Sequence, residues 1–434
     1  MLAQQLGFPV FLSDSQLVGE AHRQRLTALG IPFEEGQHTL KTILSGREVI
    51  KSPGIPETAP VMSAVREKGI PVCGEIEFAA RHAGKCRIIA ITGTNGKTTT
   101  ATLVHHILQQ GGLPVRLGGN VGTSFAGMVA DDLRQGQTSR QERIFVLEIS
   151  SFQLDDTRKF RPHISALLNI TPDHLDRYGY QMENYVRSKF RIVRNQKRGD
   201  LFITHAEDAH IQGFLRVNPG VVPCRMETIS RSDLTEGYVR VGLKWRLDLS
   251  NTALNGEHNR FNAACAARIA LRMGMDAIDI GKALFSFCLP PHRMEKIGTG
   301  KGVLFINDSK ATNTDAAHFA LEAMDRPVIW IAGGTDKGND YSQLVPVVRK
   351  RVKAIVCLGL DNASIRAAFG GLNIPIVETN SAGAAVLASA ELSTEGDVVL
   401  LSPACASFDL FRNYEHRGDL FRQAVQEFIK TQQP

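Results

Sequence analysis

The stretch "AITGTNGKTTTATLVHH", residues 90–106, decides the reading of the fold. A β-branched apolar run ends in a glycine turn, and a lysine and three threonines open a helical pattern. Such a junction aims backbone N–H groups and the positive helix end at one point, which suits a phosphate. Gly93, Thr94, Asn95, Gly96, Lys97, Thr98 and Thr99 form that cradle. Lys97 can neutralise β- and γ-phosphate charge, and the Thr98 hydroxyl can ligate Mg²⁺. The usual G-x-x-x-x-G-K-[ST] pattern wants glycine at position 91, where Ile91 stands, so the spacing here is the shorter G-x-x-G-K-T. An ordinary glycine turn before a helix is the plainer alternative, and it leaves the lysine unexplained.

Outward from this loop, short apolar runs alternate with helical patterns. "CRIIAIT", "IFVLE", "ISALLNI" and "DLFIT" read as strands buried on both faces, with "TTATLVHHILQQGG" a helix ended by glycines. A second series starts near residue 302 with "GVLFIND", "RPVIWIAGG", "VKAIVCLG", "IPIVET" and "DVVLLSPA". Helical patterns such as "NTDAAHFALEAM" and "AGAAVLASAEL" lie between them. Alternation of this kind predicts an α/β protein of βαβ units with mostly parallel sheets. Pro290, Pro291 and the following glycines mark a hinge between the series. In the leading block, "REVIKSPGIP" reads as a strand end and a turn at Pro53 and Gly54.

The totals bound the class. A chain of 434 residues is expected to hold about three domains. Hydrophobic content of 43% and charged content of 22% fit a soluble globular protein. The net charge of +6 comes from 50 basic residues scattered among 44 acids, without a basic run, which disfavours nucleic acid and suits small anionic substrates. Seven cysteines without CxxC spacing predict reduced thiols in a cytosolic protein. The start has no secretion-signal pattern, and no apolar run approaches ~18 residues, so no membrane insertion is expected.

Further polar residues gather at strand ends. Glu148 closes "IFVLE", where α/β sheets place ligand groups; it suits a Mg²⁺ ion beside a nucleotide, or a cap on the next turn. His174, in "NITPDHLDRYGY", is a candidate metal ligand or an ordinary loop or core histidine. The pattern alone makes Lys189 a solvated helix lysine. Asn259 and Asn262, three apart on one helical face, suit either base recognition or helix capping. Arg293 in "PHRMEKI" and Lys310 in "NDSKATN" offer cations to phosphate or carboxylate. Asp308, Ser309, Thr312 and Asn313 crowd the same strand end. Lys337 follows another strand, and Ser407 and Tyr414 lie in "LLSPACASFDLFRNYEHRG".

Together these motifs resemble the Mur ligases, ATP-dependent amide-forming enzymes of peptidoglycan synthesis. "GTNGKTTT" is similar to that family's shortened phosphate loop, while "NDSKATN", "LPPHRME" and "SPACASFD" look like its D-glutamate-adding branch. The resemblance covers the chain from about residue 14. It implies three domains. Residues 1–74 would be a Rossmann-like block for the UDP end, 75–289 a central P-loop ATPase domain, and 290–434 a Rossmann-like amino-acid domain. It also implies that ATP phosphorylates the terminal carboxylate of UDP-N-acetylmuramoyl-L-alanine and that D-glutamate's amine then displaces phosphate. Carried over position by position, Lys97, Thr98 and Glu148 would serve the phosphates and a first Mg²⁺. His174 would serve a second Mg²⁺, together with Lys189 carried as a CO₂-derived carbamate. Asn120 and Ser150 would hold the muramoyl substrate. Asn259, Asn262, Arg293 and Asp308 would surround the nucleotide. Lys310, Thr312, Lys337, Ser407 and Phe408 would surround D-glutamate, with Tyr414 where the family often has phenylalanine.

The family opens with a strand and a GxGxSG turn that helps hold uridine diphosphate. Here "VFLSDS" is expected to be the second strand of that domain, with the first strand missing and Ser15 and Ser52 left near the uridine; a start assigned too late is the favoured reading, and a real truncation that impairs UDP binding and domain stability is the alternative. A cytoplasmic monomer is expected. The competing readings are a folate polyglutamate ligase-like member of the superfamily and a catalytically silent nucleotide-binding relative.

Overall fold

The computed structural model describes residues 1–135, 142–242, 245–254, 256–336 and 338–432. They form two compact units: Met1–Asp248 with Phe261–Phe285, and Leu249–Arg260 with Ser286–Pro434.

The first unit opens with four short strands, β1 (Leu12–Asp14), β2 (Phe33–Glu35), β3 (Val49–Lys51) and β4 (Val72–Gly74). β1 pairs with β2 and β3 with β4, each in parallel, and the two pairs remain separate sheets. Burial is uneven here. The helix Glu20–Ala28 buries none of its side chains, whereas Met62, Val65, Ile70 and Val72 make a small core beside β3 and β4.

The main sheet of this unit has six parallel strands: β5 (Cys86–Thr92), β6 (Val115–Gly119), β7 (Arg143–Glu148), β8 (Ile164–Leu167), β9 (Leu201–His205) and β10 (Arg225–Ile229). Their order is β10-β9-β8-β5-β7-β6. β5 is central because all its residues except Arg87 are buried, as a strand covered on both faces requires. The chain moves outward from β5 in both directions, so the switch point where such sheets place ligands falls at the carboxyl ends of β5, β7 and β8. A small antiparallel sheet of β11 (Leu234–Thr235), β12 (Tyr238–Val241) and β13 (Trp245–Asp248), not foreseen from the sequence, closes the unit's strand series.

The second unit repeats the design with β14 (Glu295–Gly300), β15 (Val303–Asn307), β16 (Val328–Ala332), β17 (Val352–Leu358), β18 (Ile376–Thr379) and β19 (Val398–Leu401), ordered β14-β15-β19-β16-β17-β18. Only the edge strand β14 is antiparallel to its neighbour. Alternate residues of these strands feed two apolar layers, one around Trp330 and Ile355, the other around Ile329, Val356 and Phe421. Both α/β expectations are met, and among the described residues no helix is long and apolar enough to cross a membrane.

A buried ion pair ties residues 1–74 to the end of the helix Ser151–Asp155, which follows β7. Lys51, at the end of β3, lies 3.2 Å from Asp156 and 2.9 Å from Glu57, and both Lys51 and Asp156 side chains are 5% exposed. The Asp156 carbonyl also accepts from the Gly74 N–H. Removing one partner of a buried pair strands the other charge. Lys51→Ala is therefore expected to destabilise the protein by about 3 kcal/mol in urea unfolding, with Lys51→Ala/Asp156→Ala milder than the single change.

Candidate active site

The phosphate loop sits where β5 meets the helix Lys97–Gln110. Gly96 caps that helix with φ of 82°, and a Cβ there would come within 2.6 Å of the Asn262 side-chain oxygen. Asn262 is thus packed against the loop. The helix that carries it runs from Glu257 to Arg272, so Asn259 and Asn262 lie inside it and neither is its cap. Both amides are buried. The loop is held from the next strand as well. The Asn169 side chain accepts from the Asn95 N–H at 2.8 Å and donates to the Asn95 carbonyl at 3.1 Å. The Thr94 hydroxyl donates to the Thr171 carbonyl and accepts from the Thr171 N–H.

Glu148 does not cap the following turn. Ser150 does so, through a capping box with Gln153. Glu148 is buried at the end of β7 and accepts the Thr98 hydroxyl at 2.6 Å and the Asn120 amide at 2.9 Å. Gly119, at φ of 97°, lets the chain pass so close that a Cβ would collide with the Glu148 carbonyl. A hydroxyl and a carboxylate presented together are a donor set suited to Mg²⁺, which takes one or two carboxylates with phosphate and water oxygens. Among the described residues no group of three or more His, Cys, Asp or Glu side chains forms a self-sufficient metal cage.

Lys189 departs most from its sequence pattern. It is buried, not solvated, in the helix Met182–Phe190. Its Nζ donates to the Gly93 carbonyl at 2.8 Å and lies 4.4 Å from the Tyr185 ring centre. Lys97 donates to the same Gly93 carbonyl at 2.9 Å and to that of Thr94 at 2.6 Å. Burial first, then the Lys97 charge, holds the Lys189 amine well below the usual lysine range. His174 stands in a left-handed conformation, φ 53°, with its ring edge-on to Phe152 and its Nε2 3.5 Å from Asp173.

In the second unit the carboxyl ends of β15, β16 and β19 converge. Asp308 is buried, accepts the Met294 N–H and the Ser402 hydroxyl, and is pushed up to about 7 by burial, against the pull of Arg293. Lys310 donates to the Tyr414 hydroxyl at 2.9 Å. Ser407 is buried and Phe408 is exposed. Thr312 is half-buried, its N–H bonded to the Lys310 carbonyl. Lys337 lies outside the described residues. Ser15 and Ser52 are exposed just beyond β1 and β3, in different strand pairs.

Sequence reasoning missed Arg417, which is fully buried. It donates to the Ser309 hydroxyl and to the carbonyls of Ser309, Gly333, Cys405 and Ala406. It thereby clamps all three strand ends, and burial pulls its guanidinium down to about 10. It also missed Asn169 and Tyr185. Only Asn169 carried a signal, being a polar residue at the end of an apolar run.

The Mur ligase middle domain matches residues 91–270, and the Mur ligase glutamate ligase domain matches residues 292–405. A UDP-N-acetylmuramoylalanine–D-glutamate ligase of Christiangramia forsetii is 45% identical over 98% of this chain and 95% of its own length. The chain belongs to the Mur ligase family. Proteins of the same name from Porphyromonas gingivalis and Bacteroides fragilis are 44% and 41% identical over 98% of this chain, and over 95% and 96% of their own lengths. Two solved Mur ligases of Thermotoga maritima share the fold. The UDP-N-acetylmuramate-alanine ligase MurC has a TM-score of 0.61 at 18% identity, over 98% of this chain and 95% of its own. The MurF ligase in complex with ADP has a TM-score of 0.61 at 16% identity, over 92% of this chain and all of its own. The shortened glycine loop of this Mur ligase therefore sits in a family setting.

Two outcomes are expected. Gly96→Ala forces a side chain into a left-handed conformation, which costs roughly 1–2 kcal/mol, and also against Asn262. It should lower both the melting temperature and ATP affinity, read by thermal shift with and without ATP. Asp308 has a raised folded pKa, so the native state keeps a proton that the unfolded chain releases. Stability is then full below 3.8 and falls as pH rises toward about 7. Asp308→Asn should flatten that slope in urea unfolding.

Proposed function

We propose that this Mur ligase adds D-glutamate to UDP-N-acetylmuramoyl-L-alanine at the expense of ATP, in the cytoplasmic synthesis of peptidoglycan precursors. It is an ATP-dependent ligase, and relatives that match nearly its whole length are named UDP-N-acetylmuramoylalanine–D-glutamate ligase. The geometric observation that supports it is the meeting of Lys97, Thr98, Glu148 and Asn120 at the carboxyl end of the main sheet.

The chemistry follows from charge. A carboxylate is a poor electrophile, and the γ-phosphate and the substrate carboxylate repel one another. Loop N–H groups and Lys97 hold the phosphates and draw off negative charge as the γ-phosphoryl group moves to the carboxylate oxygen. The acyl phosphate that forms has a good leaving group. The free amine of D-glutamate attacks its carbonyl carbon, the C–O bond to phosphate breaks, the proton lost by the nitrogen goes to the departing phosphate or to water, and an amide, ADP and phosphate remain. Asn120 and Ser150 are proposed to orient the muramoyl end, and Ser15 and Ser52 the uridine end. Asn259, Asn262, Arg293 and Asp308 are assigned to the nucleotide. Lys310, Thr312, Lys337, Ser407, Phe408 and Tyr414 are assigned to D-glutamate. The functional division into residues 1–74, 75–289 and 290–434, and action as a monomer, belong to the same proposal.

Thr98 and Glu148 would hold one Mg²⁺, and His174 with Lys189 a second. When bound, these ions neutralise the anions that must approach each other. An ammonium cannot ligate a cation, so Lys189 would serve only as a carbamate. Its fit is chemical: burial and Lys97 favour the neutral amine, the form that adds CO₂.

The decisive assay is phosphate release that requires both UDP-N-acetylmuramoyl-L-alanine and D-glutamate, with folate substrates inert. Turnover on folate alone, or release indifferent to D-glutamate, would remove the proposal. Separately, protein in ¹³C-bicarbonate should show a carbamate carbon resonance that Lys189→Ala lacks.

A further inference from the structure

We propose that Tyr414 is the positioning residue for Lys310, its phenol tethering the ammonium group that receives the incoming amino acid's carboxylate. This rests on the seating of D-glutamate beside Lys310 proposed above. A lysine is a point charge on a flexible four-carbon stem, so an unaided Lys310 would sample many positions. Tyr414 restrains it in two ways. Its hydroxyl accepts from Nζ at 2.9 Å, and its ring centre lies 4.7 Å from the same nitrogen. A ring face and a hydroxyl fix both the direction and the reach of the side chain. A phenol does this without cancelling the charge, because it is neutral where a carboxylate would be an anion.

The tether has its own supports. Tyr414 is the first residue of the helix Tyr414–Thr431, and Asn413 caps that helix through the His416 N–H at 2.8 Å. The Tyr414 carbonyl accepts the Ser309 hydroxyl at 2.8 Å, and that hydroxyl accepts from Arg417 Nε at 3.0 Å. The first helical turn therefore grips residue 309 by its side chain and residue 310 by its ammonium. The His292 ring meets the Tyr414 ring edge-on at 6.3 Å, and the His292 carbonyl accepts the Lys310 N–H. Gly418, one turn on, leaves the room that the His292 ring occupies.

Tyr414→Phe keeps the ring and removes the hydroxyl. It should raise KM for D-glutamate roughly tenfold, leave kcat within about twofold, and leave KM for ATP and the melting temperature unchanged. Lys310→Ala, measured alongside, separates the two levels. If Lys310→Ala leaves KM for D-glutamate unchanged, the seating of the amino acid is wrong and the tether falls with it. If Lys310→Ala raises that KM while Tyr414→Phe stays within twofold of the parent, the tether alone is overturned. A fall in every parameter together with a lower melting temperature would make Tyr414 a packing residue and would also overturn it.

Discussion

Two lysine amines, Lys97 and Lys189, donate to one oxygen, the carbonyl of Gly93. Like charges drawn to a single acceptor repel, and one of the two is wholly buried. Burial first, and this repulsion second, lower the pKa of the Lys189 amine. The proposed carbamate depends on this, because the neutral amine is the form that adds CO₂, whereas an ammonium there would only duplicate Lys97. The same carbonyl belongs to the loop proposed to receive ATP. The protonation state of Lys189 and the geometry of the phosphate cradle are therefore one problem.

The surrounding structure keeps that pair in place. Tyr185 joins its ring to the Lys189 amine and its hydroxyl to Thr94 at 3.2 Å, so the helix that carries Lys189 is bonded to the loop at two points. Asn169 and Thr171, beyond β8, hold the loop from the other side. Thr98 and Asn120 share the Glu148 carboxylate, which ties β7 and the turn after β6 to the start of the phosphate helix. The second unit shows the same economy. Arg417 satisfies the carbonyls of three strand ends, and the helix turn that carries it also carries Tyr414.

Much of this was legible in the sequence, for identifiable reasons. Gly93, Gly96, Lys97 and Thr98 announce themselves because a glycine turn between an apolar run and a helix, with a lysine at the helix mouth, is the arrangement a bound phosphate demands. Glu148 and Asp308 are visible as acids at the ends of buried strands. Lys189 was not, because its neighbours in "ENYVRSKF" read as a half-polar helix and nothing local says which face docks. Arg417 was hidden for the same reason inside an amphipathic helix. Their roles come from contacts more than ninety residues away in sequence, at 96 for Lys189 to Gly93 and 108 for Arg417 to Ser309. Asn259 and Asn262 left capping open in the sequence; the helix start at Glu257 closed that alternative, and Asn262 packs against Gly96. Only the family resemblance gives Lys189 an expected role; the local pattern gives it none.

The central claim is that burial, and then the charge of Lys97, hold the Lys189 amine well below the ordinary lysine range. Titration of the Lys189 Nζ by ¹⁵N NMR, in protein freed of CO₂ and nucleotide, tests it most directly. The account predicts an amine that titrates well below the ordinary lysine value of about 10.4 and moves back toward it in Lys97→Met. A Lys189 ammonium that persists to that ordinary value, or one indifferent to Lys97, would contradict it.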